Sequence, residues 1–279
     1  MPHLVRVHAI GALGLLGALL WSAPVAAEPI AVRYTEGITR GFLTLRSPQG
    51  QKLAEGDLMQ VARGDGVEKR LVFRFADGSL HDETTVFTQE GVFTVRRYHL
   101  IQRGASFPTA LDVSCDRATG RYAGRYREST DAPEKTVGGP IDLPPDVYNG
   151  MAQVLLKNLA PGATATGHLL SLVPSPRLVN LQFAPVGEES VQVGDSPRRA
   201  THYLVKTQLG GIRGLLAPLI GHELPGFHYW ILREDVPAFM LFEGPLYLGG
   251  PVWRVGSSFQ TDQPPQGPPG AAGPRKARN

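Results

Sequence analysis

Cysteine is almost missing from this chain: Cys115 is the only one among 279 residues. No intramolecular disulfide can form, so stability must come from packing alone. A surplus of either charge sign is missing as well. The chain carries a net charge of +3, but Arg6 lies in the N-terminal segment, and Arg275, Lys276 and Arg278 lie in the tail with Asp262. Removing those leaves 24 basic and 24 acidic residues. A neutral core has no electrostatic basis for gripping a phosphate backbone, which excludes nucleic acid as a partner. Catalytic signatures are missing too. There is no G-x-S-x-G nucleophile elbow, P-loop, dinucleotide fingerprint or H-E-x-x-H, and Asp195-Ser196-Pro197 reads as a turn. No cofactor is expected.

Long apolar runs are restricted to the N-terminus. Arg6, the run Ala9 to Leu20, and the small residues Val25-Ala26-Ala27 form a secretory signal, with cleavage expected after Ala27. No transmembrane segment is expected after cleavage. The chain is therefore expected to be exported, periplasmic or secreted, from a bacterium. At the other end, residues 261–279 are rich in proline and glycine and are expected to be disordered. Residues 28–260 are expected to form a single domain.

Within that domain the period is two. Val67, Lys69, Leu71, Phe73 and Phe75 alternate with Glu68, Arg70, Val72 and Arg74. Asp77-Gly78 is a hairpin turn, and strands of about ten residues follow at Leu80 to Gln89 and Val92 to Arg103. Further strands are read at Thr39–Arg46, Leu53–Val61, Phe107–Ser114, Thr136–Leu143, Ala163–Val173, Arg177–Ala184, Thr201–Leu209, Phe227–Arg233 and Ala238–Phe242. Long antiparallel strands twist and coil, which gives a sheet a concave side.

One segment has the helical period. Pro144 and Pro145 suit a first turn, and Pro161-Gly162 supplies a stop, which predicts a helix over 144–159. Asp146, Asn149, Gln153 and Lys157 make a narrow polar stripe, and apolar residues fill the remaining circumference. Such a helix must be wrapped by other structure. The expected fold is mainly β (α+β): a strongly curved antiparallel sheet, or half-barrel, around one central helix. The apolar, glycine-rich segment Gly210–Gly221 is open to three readings: a lid, a short helix or a strand.

The segments DGSLHDETTVF (Asp77–Phe87), LPPDVYNGM (Leu143–Met151) and GPLYLGGPVW (Gly244–Trp253) are similar to those of exported bacterial proteins of unknown function. With its signal, long strands and single enclosed helix, the chain resembles the half-barrel carriers of the bacterial envelope, such as the lipoprotein-localisation factors. The resemblance implies a binding or carrier role for a lipid or other apolar ligand. No lipid-contact motif of those carriers matches, so no residue role is carried over.

Candidate cavity residues are Tyr148, Met151, Leu155, Phe73, Phe75, Phe93 and Trp230, since methionine and aromatic side chains commonly line greasy sites. Arg121, Arg125 and Arg127 share one strand face and form a candidate anion strip, with pairing to acids such as Asp112 as the alternative. His222, Glu223 and His228 are the candidate metal ligands of an alternative reading, an envelope hydrolase or metal-assisted enzyme. His81 and Glu83 share a face and suit cross-strand hydrogen bonding. A structural envelope protein without ligand is the remaining alternative.

Overall fold

The computed structural model describes residues 29–208 and 226–257. Residues 1–28, in which a signal was expected, Gly210–Gly221, His222, Glu223 and the C-terminal tail lie outside them. The described residues form one open antiparallel sheet of fourteen strands and a single helix. The first eight strands are β1 (Thr39–Arg46), β2 (Lys52–Arg63), β3 (Gly66–Phe75), β4 (Leu80–Glu90), β5 (Val92–Arg103), β6 (Ala110–Asp116), β7 (Arg121–Arg127) and β8 (Lys135–Pro140). The helix α1 (Ala152–Asn158) follows. The chain then forms β9 (Ala165–Ser171), β10 (Arg177–Val193), β11 (Ser196–Gln208), β12 (Phe227–Leu232), β13 (Ala238–Gly244) and β14 (Trp253–Ser257).

Every strand pairs with its sequence neighbour, except that β8 and β9 are the two edges and β1 pairs with β14. The two halves of the chain thus meet mid-sheet, and the helical segment bridges the two edges. Alternation explains the strands: β3 buries Val67, Lys69, Leu71, Phe73 and Phe75 on one face. Turn chemistry explains the corners. Between β3 and β4, Gly78 takes φ +84° while Asp77 Oδ1 accepts the Ser79 N–H at 2.8 Å.

The face carrying Phe73 holds two apolar clusters. The first joins both halves of the sheet to the helix: Phe87 and Phe93 from β4 and β5, Phe183 and Tyr203 from β10 and β11, and Met151, Leu155 and Leu156. The second sits where the chain ends meet, around Leu45, Phe73, Phe75, Phe107, Phe242 and Trp253. There Phe75 meets Phe107 edge-on, with centroids 5.4 Å apart. A third, smaller cluster of Val191, Ala200, Trp230, Leu232 and Met240 covers the opposite face of β10–β13.

The helix is shorter than its sequence pattern predicts. It spans seven residues, and Pro144 to Gly150 lie outside it. The predicted start fails because tertiary partners take the backbone groups that a first turn would use. Tyr148 N–H donates to His168 O at 2.9 Å, and His168 N–H donates to Asp146 O at 2.8 Å, so Val147 lies beside β9 as a parallel bridge. The Asn149 amide extends this pairing, donating to Leu170 O and accepting from Leu170 N–H, both at 2.8 Å. Gly150, at φ +70°, then redirects the chain into α1. Asp146 and Asn149, two members of the expected polar stripe, are 6% and 2% exposed.

Two long-range staples hold this crossing. Arg117 donates to the carbonyls of Val95 (2.7 Å), Leu143 and Pro144 (2.9 Å). Asn158 Oδ1 accepts the N–H groups of Arg33 (2.8 Å) and Tyr34 (2.7 Å), so the stretch before β1 is tied to the end of α1. The other expected strand boundaries shift by no more than three residues, apart from β10, which continues past Ala184 to Val193, and β11, which begins at Ser196 and so takes in Ser196-Pro197, expected to be a turn. A bulge between Pro185 and Gly187 absorbs the proline and lets the ladder to β11 resume. Among the described residues no helix is long and apolar enough to cross a membrane.

Cys115 is buried, and burial pushes its thiol from 9.0 up to about 11. Only the thiolate reacts. Labelling by a thiol reagent at pH 8 is expected to be about a hundred-fold slower in the folded protein than in urea, from the ionised fraction alone. Because the folded pKa is raised, this thiol supports the fold fully below 9.0, and its contribution fades as pH climbs to about 11. Equal labelling rates with and without urea would contradict the burial.

Candidate functional site

Strand register lays out the inner face as parallel rows. Gln60, Lys69, Thr85, Tyr98 and Cys115 are successive cross-strand partners, and all are buried. On the other side, Gly56, Phe73, His81 and Gln102 form a second buried row. Between them runs the row Leu58, Leu71, Glu83, Leu100 and Val113, in which Leu58, Glu83 and Leu100 keep accessible surface. Half-buried residues between two buried rows leave accessible surface within the inner face.

Three aromatic side chains from the other half of the sheet complete it. Phe227, Tyr229 and Phe239 are half-buried and pack against both inner clusters, so they bridge the boundary between them. Tyr229 is informative because it lies deep among protein atoms and still keeps accessible surface. Its phenol is pushed up first by burial and then by the Glu83 charge, which puts Glu83 and Tyr229 within electrostatic reach of each other. The Tyr229 hydroxyl makes no hydrogen bond among the described residues.

The polar groups on one flank of the gap are tied down by α1's approach segment. Tyr98 donates its hydroxyl proton to Glu83 Oε1 at 2.9 Å, and burial together with the Glu83 charge holds that phenol well above its ordinary range. The other Glu83 oxygen lies against Gly150, where an added Cβ would sit 3.1 Å away. Lys69 Nζ donates to Gly150 O at 2.7 Å, and Thr85 Oγ1 donates to Asn149 O at 3.1 Å. Burial lowers the Lys69 pKa, and the Glu83 charge opposes that shift. Further along the row, Gln60 Nε2 donates to Glu36 Oε2 at 2.8 Å, and Glu36 pairs with Lys157 of α1.

The opposite flank holds His81. Gln102 Nε2 donates to its Nδ1 (2.9 Å) and to Leu246 O (3.1 Å), so the remaining proton sits on Nε2, which is buried without a partner among the described residues. Burial lowers the His81 pKa and keeps the ring neutral. The arrangement therefore offers apolar walls, one partly accessible carboxylate, one free phenol and an unused imidazole N–H. That chemistry suits an apolar body with a hydrogen-bonding head. The inner-face sharing of His81 and Glu83 expected from the alternation is present, and each finds a cross-strand partner.

The structure groups the sequence-derived candidates differently. Tyr148, Met151, Leu155 and Phe93 are enclosed in the first cluster, and Phe73 and Phe75 belong to the second. Trp230 is on the outer face, where its ring stacks on His202 at 4.4 Å and its Nε1 donates to Glu189 Oε2 at 2.8 Å. The residues at the gap, Leu58, Glu83, Leu100, Phe227, Tyr229 and Phe239, carry no composition signal that separates them from core. Only cross-strand register singles them out.

The other two candidate sets are also separated. His228 Nδ1 lies 2.8 Å from His202 Nε2, whose ring meets Glu189 through Nδ1 at 2.8 Å, while His222 and Glu223 fall outside the described residues. No group of three or more metal-binding side chains occurs among the described residues. Arg125 pairs with Asp112 at 3.4 Å, Arg127 is exposed, and Arg121 lines a cavity on the outer face. Comparison with protein-family models, with curated proteins and with solved structures returned no match to this chain.

Proposed function

We propose that this chain is an exported binding or carrier protein of the bacterial envelope that holds an acyl chain or similar apolar ligand inside its sheet. In this reading the sheet curves as a half-barrel around α1, and the ligand occupies the gap between the two inner clusters. The observation that carries it is that Leu58, Glu83 and Leu100 keep accessible surface between two fully buried rows, with Tyr229 within electrostatic reach of Glu83. Interiors pack to crystal-like density, and an unfilled apolar gap costs stability in proportion to its volume. A gap kept open beside a free phenol and a carboxylate is accounted for by an occupant. Leu58, Leu100 and the aromatics would take the chain, and Tyr229 would donate to an ester or carboxyl oxygen.

The test is mass spectrometry of solvent extracts from purified protein, with a fluorescent fatty acid as the binding probe. The wild type is expected to yield acyl lipid at close to one equivalent. Leu100→Trp places a larger side chain in the gap and is expected to weaken probe binding by about a hundred-fold, or about 2.7 kcal/mol, without loss of folding. Protein that yields no lipid and binds the probe no better than Leu100→Trp does would end the proposal.

A further inference from the structure

The outer face of β3–β8 carries a cavity of about 600 Å³, on the side of the sheet away from the gap. That volume is within the usual range for small-molecule sites. Register explains its lining. Glu68, Val86, Arg97, Asp116 and Arg121 are successive partners from β3 to β7, so they form one row on the face opposite Lys69 and Tyr98.

The charges along this row are unevenly matched. Asp116 Oδ1 accepts the N–H groups of Ala118 (2.7 Å) and Thr119 (3.2 Å), so it caps the β6–β7 turn. Glu68 pairs with Arg63 at 3.7 Å. His99, also at the cavity, is engaged by Asp112 at 2.8 Å. Arg97 and Arg121 are exposed and make no side-chain hydrogen bond or ion pair among the described residues. Both flank Asp116, so their backbones lie about 10 Å apart, two strand spacings. Guanidinium groups reaching over that distance can grip one oxyanion from two sides. Thr84, Ser114 and Thr119 add hydroxyl groups to the same lining.

We propose that this outer cavity binds a phosphate group, with Arg97 and Arg121 as its clamp. Two unmatched cations suit the charge of about −1.5 to −2 on a phosphate monoester better than a single carboxylate. The proposal is independent of the interior ligand, since the two sites are on opposite faces and either can fail alone.

The test is a titration of ¹⁵N-labelled protein with inorganic phosphate, read from the amide shifts of Thr119, Arg121 and Gly138. Saturable shifts are expected in the wild type, with affinity about ten-fold weaker in Arg97→Gln and in Arg121→Gln. Arg127→Gln is expected to change nothing. Glu68→Gln removes a nearby negative charge and is expected to tighten binding about three-fold, a gain that a damaged fold would not produce. Vesicles of phosphatidylcholine with and without phosphatidylglycerol identify the source. Binding to the anionic vesicles that phosphate displaces assigns the site to a lipid headgroup, and phosphate binding without vesicle binding assigns it to a soluble phosphate. No saturable shift in the wild type, or wild-type affinity in both Arg97→Gln and Arg121→Gln, would overturn the proposal.

Discussion

Met151→Asp is expected to lose about 4 kcal/mol of folding stability, read from urea denaturation with an unchanged slope. Two effects compete at this residue. Met151 is the N-cap of α1, and its carbonyl accepts from Val154 (2.9 Å) and Leu155 (3.0 Å). Aspartate is a preferred N-cap and would contribute about 1 kcal/mol in an exposed helix. But Met151 is 0% exposed and surrounded by the apolar residues of the first cluster. Burying a carboxylate without a partner costs several kcal/mol, and removing the thioether adds a packing loss. Burial therefore wins over capping. Met151→Leu, which keeps volume and apolarity, is expected to stay within about 1.5 kcal/mol of wild type. An aspartate variant of near wild-type stability would mean that this end of α1 reaches water.

Gly150→Val is expected to be nearly as severe, at about 4 kcal/mol, for a different reason. The φ of +70° is costly for a β-branched residue, by about 1–2 kcal/mol. Space is the second obstacle. A Cβ at this position would lie 2.3 Å from Thr85 Oγ1 and 3.1 Å from Glu83 Oε2, so β4 and the crossing segment must separate. That separation would break the bonds from Lys69 to Gly150 O and from Thr85 to Asn149 O. Gly78→Ala isolates the conformational part, since Gly78 has φ +84° with nothing near its missing Cβ. Its expected loss is about 1 kcal/mol. Similar losses for the two variants, measured by the same denaturation, would show that the contact between Gly150 and β4 is loose.

Much of the sheet was legible because its determinants are local. In β3, five alternating residues face inward as the period of two requires, and Asp77-Gly78 closes the hairpin through groups within three residues of one another. The long strand β5 begins and ends where the alternation does. Prediction failed where a distant strand competed for the same backbone groups. Pro144-Pro145-Asp146 has the local chemistry of a helix start, yet the groups that would begin the helix bond to His168 and Leu170. Nothing within the segment signals that β9 lies alongside.

The same contrast applies to the sites. Residue type alone marked Trp230 as a cavity candidate and passed over Tyr229, but one step along β12 puts Trp230 in the outer cluster and Tyr229 on the inner face. Arg121, Arg125 and Arg127 share a face as the spacing requires, and cross-strand partners then separate them: Asp112 takes Arg125, while Arg121 joins Arg97 from a strand more than twenty residues earlier.

What the sequence by itself determined is most of the strands, the tight turns between them and the alternation of side chains between two faces, since these depend on periodicity and on glycine and proline within a few residues. Tertiary structure decided the rest: that β1 pairs with β14, that the helical segment bridges the two free edges, and that Glu83 and Tyr229 come within electrostatic reach of each other. Those outcomes depend on register between strands far apart in the chain, and a periodicity of two specifies a face without specifying a neighbour.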